Sequence, residues 1–214
     1  MTGAPGRFLA FEGPDGAGKS LQAARLAERL RADGRSVLLT REPGGTHLGE
    51  QVRAILLDPG PTARSGESDA LLFHAARAQV IREVVRPALA RGETVITDRF
   101  AWSTRAYQGY GSGIPVELLA GLEALSIGPT WPELVVLVDV PVAVGLARRA
   151  RGAQEDRNRF EDETRHDRAF HERVRAGYLA MAEADPGRWI VVDGDRDPET
   201  VAAEIAARVL PRIG

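Results

Sequence analysis

The stretch that most restricts what this chain can fold into is Gly13-Pro14-Asp15-Gly16-Ala17-Gly18-Lys19-Ser20, which fits G-x-x-x-x-G-K-S. An apolar run, Arg7–Phe11 (RFLAF), precedes it, and an amphipathic stretch, Lys19–Ala32, follows and stops short of Gly34. A strand, a glycine-rich turn and a helix in that order make a cradle for phosphate. The glycines let the backbone curl until successive N–H groups point at one centre, and the positive end of the helix adds to the attraction. All eight residues, Gly13, Pro14, Asp15, Gly16, Ala17, Gly18, Lys19 and Ser20, are therefore candidate triphosphate contacts. Lys19 would reach the β- and γ-phosphates, and the Ser20 hydroxyl would ligate Mg²⁺. Lys19 is also the only lysine among 28 basic side chains. A planar guanidinium cannot replace a compact ammonium lodged between two phosphates, so a bias that swept lysine away elsewhere would stop here.

The remaining pattern repeats the strand–helix alternation. Apolar runs of strand length fall at Ser36–Thr40 (SVLLT), Thr94–Thr97 (TVIT), Leu134–Val138 (LVVLV) and Trp189–Val192 (WIVV). Helical stretches are expected at Leu48–Leu57, Ser68–Ala90 with a bend at Pro87, Pro115–Ser126, Val142–Ala150, Arg165–Ala184 and Pro198–Leu210. Continuous β-branched runs separated by helices predict an α/β fold: a five-stranded parallel sheet flanked by helices on both faces. With 214 residues and 43% apolar content, one core and one domain over residues 1–214 are expected. The polar segment Gly152–Asn158 (GAQEDRN) reads as a flap within a short LID at about residues 150–160.

Composition narrows the partners. A net charge of −2 argues against general affinity for nucleic acid or an anionic membrane. There is no cysteine for disulfides or thiolate metal sites, and no apolar run of spanning length, which leaves the cytoplasm as the expected location. The four histidines show no triad or metal spacing. A signalling GTPase would read guanine with an N-K-x-D segment, which a chain with a single lysine at position 19 cannot contain. Small-molecule kinases remain, and their second half should bind an acceptor.

Three segments beyond the phosphate loop supply that half. FEGPDGAGKS (Phe11–Ser20), TREPGGT (Thr40–Thr46), LLFHAARAQ (Leu71–Gln79) and DRFAWSTRAYQG (Asp98–Gly109) together resemble thymidylate kinases, and LVDVP (Leu137–Pro141) with the arginine-rich flap continues the likeness. The resemblance implies the nucleoside monophosphate kinase architecture built on a phosphate loop, with ATP and dTMP as substrates, Mg²⁺ as cofactor and a homodimer. It implies that Asp98 holds Mg²⁺ through water and that Arg99 forks onto the acceptor's phosphate. Taken alone, an Asp-Arg pair after a strand serves equally well as a structural ion pair. Phe73 and Arg77 lie four apart on one helical face. The resemblance implies that Phe73 stacks on thymine and Arg77 contacts the bound nucleotide, although a lone Phe at such spacing more often packs in a core. Ser103, Tyr107 and Gln108 are implied around base and sugar, with Tyr107 excluding a ribose 2′-hydroxyl. Asp15 is implied near the acceptor's 3′-hydroxyl and the metal, and Pro43 of Glu42-Pro43-Gly44-Gly45 beside the base, a segment that would otherwise be a plain turn.

Phosphoryl transfer needs cations on the moving group more than it needs a base. Some thymidylate kinases carry an arginine in the phosphate loop after the acidic residue; here that position is Gly16. The chain therefore resembles the bacterial type, whose arginines come from the LID, and Arg149, Arg151 and Arg157 are the candidates among Arg148, Arg149, Arg151, Arg157 and Arg159. Glu161 matches an acid near the family's site, and Asp193–Asp197 is where adenine is expected to rest. The competing expectations are a kinase for another nucleoside monophosphate and a non-catalytic ATP-binding switch.

Overall fold

Each of the five apolar runs forms a strand, and each strand continues one residue past its run. In the computed structural model, which describes residues 6–58, 64–151 and 167–214, β1 is Arg7–Glu12, β2 Val37–Arg41, β3 Thr94–Asp98, β4 Leu134–Asp139 and β5 Trp189–Asp193. The added residues are Glu12, Arg41, Asp98, Asp139 and Asp193. Ladder hydrogen bonds come from the backbone and tolerate a charged side chain at the end of a strand, so the apolar signal stops early. All strands pair in parallel in the order β2-β3-β1-β4-β5. Five charged side chains thus stand at the edge where open parallel sheets bind ligands.

Alternate strand residues feed two cores. On one face Leu9, Phe11, Ile96, Val136 and Ile190 pack against α1 (Lys19–Ala32) and α9 (Pro198–Ile213). On the other, Phe8, Ala10, Val95, Val135 and Leu137 pack against Ile81 and Val85, α4 (Arg86–Ala90), α5 (Ala101–Thr104) and α8 (Arg168–Ala184). Beside the second core, α2 (His47–Leu57), α3 (Gly66–Val80) and α6 (Val116–Ser126) pack on one another. Side chains cap these helices as expected for their types: Thr46 accepts from Gly49 N at 2.9 Å, and Asp167 from Phe170 N at 2.8 Å.

Two helical expectations change. The single helix expected over Ser68–Ala90 is α3, a π-helical turn at Ile81–Val85, and α4. The π turn resets the ladder before Pro87, which then sits in the first turn of α4, where its missing N–H costs nothing. After α5 the chain does not continue as α-helix but as a second π-helical stretch, Arg105–Gly111. The last helix also runs past Pro211 to Ile213 rather than ending at Leu210. α7 (Val142–Ala150) has the expected bounds.

Candidate active site

A cleft of about 1080 Å³ runs over the residues that follow β1, β2 and β3. Its donor side is the glycine-rich loop. Gly13, Gly16 and Gly18 have φ of +143°, +74° and +90°, left-handed values that favour glycine. Gly16 also has no room for a side chain, since a Cβ there would lie 2.2 Å from the Gly145 carbonyl oxygen of α7. Pro14 and Ala17 close the turn with an Ala17 N to Pro14 O bond of 3.3 Å. Lys19 is buried, and its ammonium donates to Pro14 O at 2.8 Å. Burial, with Arg99 adding to it, pushes the Lys19 pKa down to about 8 despite Asp15, Asp98 and Glu12. The Ser20 hydroxyl donates to Asp98 Oδ2, while Asp98 Oδ1 is buried with no partner among the described residues. One hydroxyl beside one unsatisfied carboxylate oxygen is a donor set that suits a hard divalent cation.

Between donor and acceptor sides stands Asp15. It pairs with Arg99 through Oδ1 and with Arg149 through Oδ2, the latter at 3.3 Å. Burial opposes its ionisation, but Arg99, Arg149 and Lys19 overcome that and hold its pKa well below the carboxylate range. Arg149 reaches this point because it lies one helical turn beyond Gly145, the residue in closest approach to the loop. Arg99 has φ +70°, a conformation costing a non-glycine residue on the order of 1 kcal/mol, which marks it as a held residue. Its guanidinium lies 5.2 Å from the Tyr107 ring centroid. Burial disfavours the charge on Arg99, yet Tyr107, Asp15, Tyr178 and Asp98 raise its pKa further.

Glu42, Pro43, Phe73, Ser103, Tyr107 and Gln108 line the acceptor side, with Leu39 and Thr104. Glu42-Pro43 is a cis peptide. Phe73 is half-buried and packs on Val52, Leu56 and Ala76, so one ring serves both a small core and the cleft. Gln108 is buried, and its Oε1 has no partner among the described residues. Arg77 lies one layer back and is 1% exposed. It donates from Nε to Glu42 Oε2 at 2.7 Å and from a terminal nitrogen to Thr104 Oγ1 at 3.2 Å. Burial raises the Glu42 pKa, to about 7, against the pull of Arg77.

Three residues to which the sequence assigns no role belong to this geometry, Glu12 among them although it brackets the first turn of the loop with Asp15. Arg53 of α2 lines the cleft and donates to Pro43 O at 3.1 Å. Nothing local separates it from the other arginines; only the return of α2 beneath the cis-proline turn does. Glu12, fully buried, accepts from Phe100 N at 2.9 Å, Ser103 N at 3.1 Å and Ser103 Oγ at 2.6 Å. Its charged last position on β1 was the available signal. Tyr178 of α8 donates to Glu12 Oε2 at 3.0 Å, but in sequence it is indistinguishable from a core aromatic.

The flap arginines divide. Arg149 reaches Asp15, Arg148 binds Gly194 O at 3.0 Å and Asp195 at 3.2 Å, and Arg151 is exposed at the end of α7. Arg148 thus buttresses the Asp193–Asp197 loop. Arg157, Arg159, Glu161 and most of the expected LID lie outside the described residues.

A profile described as thymidylate kinase matches residues 11–205. A thymidylate kinase from Deinococcus radiodurans is 50% identical over 208 residues, 97% of this chain and 98% of that protein. One from Thermomicrobium roseum is 52% identical over 202 residues, 94% and 93% of the two. Among solved structures, the crystal structure of thymidylate kinase from Ehrlichia chaffeensis superposes with a TM-score of 0.76 at 34% identity, covering 96% of this chain and 99% of that one.

Proposed function

This chain belongs to the thymidylate kinase family, of bacterial type, and on that premise we propose a division of labour within its cleft. The reaction is transfer of the γ-phosphoryl group of ATP to dTMP, giving dTDP and ADP. Residues Gly13–Ser20 hold the ATP phosphates, with Lys19 as the cation on the moving group. Arg99 holds the phosphate of dTMP, Phe73 and Pro43 flank the base, and Gln108 serves its polar edge, while Arg77, one layer behind, braces Glu42 rather than reaching the cleft itself. Ser103 and Tyr107 bound the sugar. Asp15 aligns Arg99 and Arg149 across the line of transfer. The observation that carries this reading is the Asp15 carboxylate, gripped at once by an acceptor-side arginine and an α7 arginine beside the loop.

Mg²⁺ fits Ser20 and Asp98, whose orphaned oxygen asks for a cation. When bound, the ion would neutralise charge on the β- and γ-phosphates. Asp15 is already committed to two guanidiniums, so we leave it out of the metal's ligands. Arg151 and Arg157 stay candidates for the ATP phosphates on sequence grounds. Two cores sharing one sheet support a single kinase domain over residues 1–214. No helix among the described residues is long and apolar enough to cross a membrane. We place the enzyme in the cytoplasm because it draws on nucleotide pools. It acts as a homodimer through α6 and α3, where Leu118, Leu125 and Leu71 stand 62%, 87% and 57% exposed.

A turnover panel of dTMP, dUMP, UMP, CMP, AMP and GMP with MgATP tests the assignment. Preference for dTMP is expected. Preference for a ribonucleotide, or ATP binding with no dTMP-dependent ADP release, overturns it.

A further inference from the structure

Behind the acceptor side of the cleft, α8 carries a buried hydroxyl that none of the roles above uses. Tyr178 is 0% exposed, yet its oxygen is surrounded by polar atoms: Glu12 Oε2 at 3.0 Å, Ser103 Oγ at 2.8 Å and an Arg99 terminal nitrogen at 3.4 Å. That nitrogen of Arg99 also donates to Ser103 Oγ at 3.0 Å. The other terminal nitrogen faces Asp15 and the Tyr107 hydroxyl. The guanidinium is therefore held from two sides, and Ser103 and Tyr178 form the rear one. Glu12 anchors that rear side, because two backbone N–H groups fix one of its oxygens while the two hydroxyls gather on the other. A hydroxyl that gives its proton to Glu12 keeps a lone pair for Arg99. Such an arrangement matters for a side chain whose own backbone is strained at φ +70°.

We propose that Tyr178 is a positioning residue for the acceptor's phosphate, acting through Arg99: its hydroxyl braces the guanidinium so that dTMP meets it already oriented. The proposal rests on the assignment of Arg99 to that phosphate. It makes α8, which supplies no cleft-lining residue, part of the apparatus that recognises a phosphomonoester.

The test compares dTMP with thymidine, which offers the same base and sugar without the phosphate. In Tyr178→Phe the ring and its packing remain. Binding of dTMP, measured by calorimetry, should weaken about tenfold, the effect of one hydrogen bond to a charged group, while thymidine and ATP hold their wild-type affinities. Unchanged dTMP binding overturns the proposal. So does an equal loss for dTMP, thymidine and ATP, which marks a packing role. Arg99→Lys is measured in parallel. If it leaves the preference for dTMP over thymidine intact, the reading of Arg99 itself fails. If it abolishes that preference while Tyr178→Phe is silent, only the bracing role fails.

Discussion

Lys19 carries a charge where little water reaches it. The fold bears this burden without a nucleotide and recovers it when phosphates arrive, so function and resting stability oppose each other at this residue. In Lys19→Met, similar in length and uncharged, turnover should fall by a factor of at least about 10². The ligand-free protein should at the same time gain on the order of 1–3 kcal/mol in urea denaturation at pH 7. His74 gives a second residue-level prediction. It is buried between α3 and α6 with Nδ1 2.8 Å from Ser126 Oγ, and burial plus the neighbouring Arg77 push its pKa down to about 3. A base with a depressed folded-state pKa takes up a proton more readily when unfolded. Its contribution to stability is therefore complete above its ordinary pKa of 6.5 and is lost as pH falls from there toward 3. Denaturation midpoints should drop between pH 7 and pH 5 in the wild type, and drop less in His74→Leu. The contrast between the two residues bears on legibility. Lys19 was readable because its motif has fixed spacing and chemistry. Glu12, Arg53 and Tyr178 were not, because their partners lie 91, 10 and 166 residues away along the chain and only the folded sheet brings them together.

At the level of elements, the strands were legible almost to the residue, since five short apolar runs, four of them carrying β-branched residues, alternate with helical stretches. Each falls one position short for the same reason: the strand closes on a charged residue, which the apolar signal does not count. The helices were less so. Helical periodicity does not distinguish α from π hydrogen bonding, so the helix expected over Ser68–Ala90 runs straight through the π turn at Ile81–Val85, and nothing in the pattern announces the second π-helical stretch, Arg105–Gly111. The second one matters for the site, because it carries Tyr107 and Gln108 into the cleft and packs closely on α8. Two glycines permit that approach. A Cβ at Gly177 would fall 2.5 Å from the Tyr110 ring, and one at Gly111 would fall 2.6 Å from the Phe170 ring. Gly177→Ala should therefore force α8 outward, costing about 1–3 kcal/mol of stability by chemical denaturation and raising the KM for dTMP more than that for ATP. An equal rise in both constants would count against α8 acting on the acceptor side alone.

The whole molecule divides its tasks across the sheet. The cleft lies over the loop after the central β1 and the ends of β2 and β3, and on the function proposed above the donor is held at β1 and the acceptor toward β2 and β3. On its outer flank α6 presents Leu118, Gly121 and Leu125 at helical spacing, with open space over Gly121. If α6 carries the proposed homodimer interface, Leu125→Asp should leave a monomer by sedimentation, since a charge cannot stay desolvated against a second apolar face. Retention of the dimer would place its interface elsewhere. The solitary lysine has a practical consequence for the molecule as a reagent. With a pKa of about 8 against the ordinary 10.5, its amine is largely neutral, and hence acylatable, at a pH where exposed lysines would still be protonated. There are no exposed lysines to compete. An acylating reagent should therefore mark one lysine per chain beside the α-amino terminus, and ATP should shield it, so that the mass increment on the peptide carrying Lys19 counts the vacant donor sites in a sample.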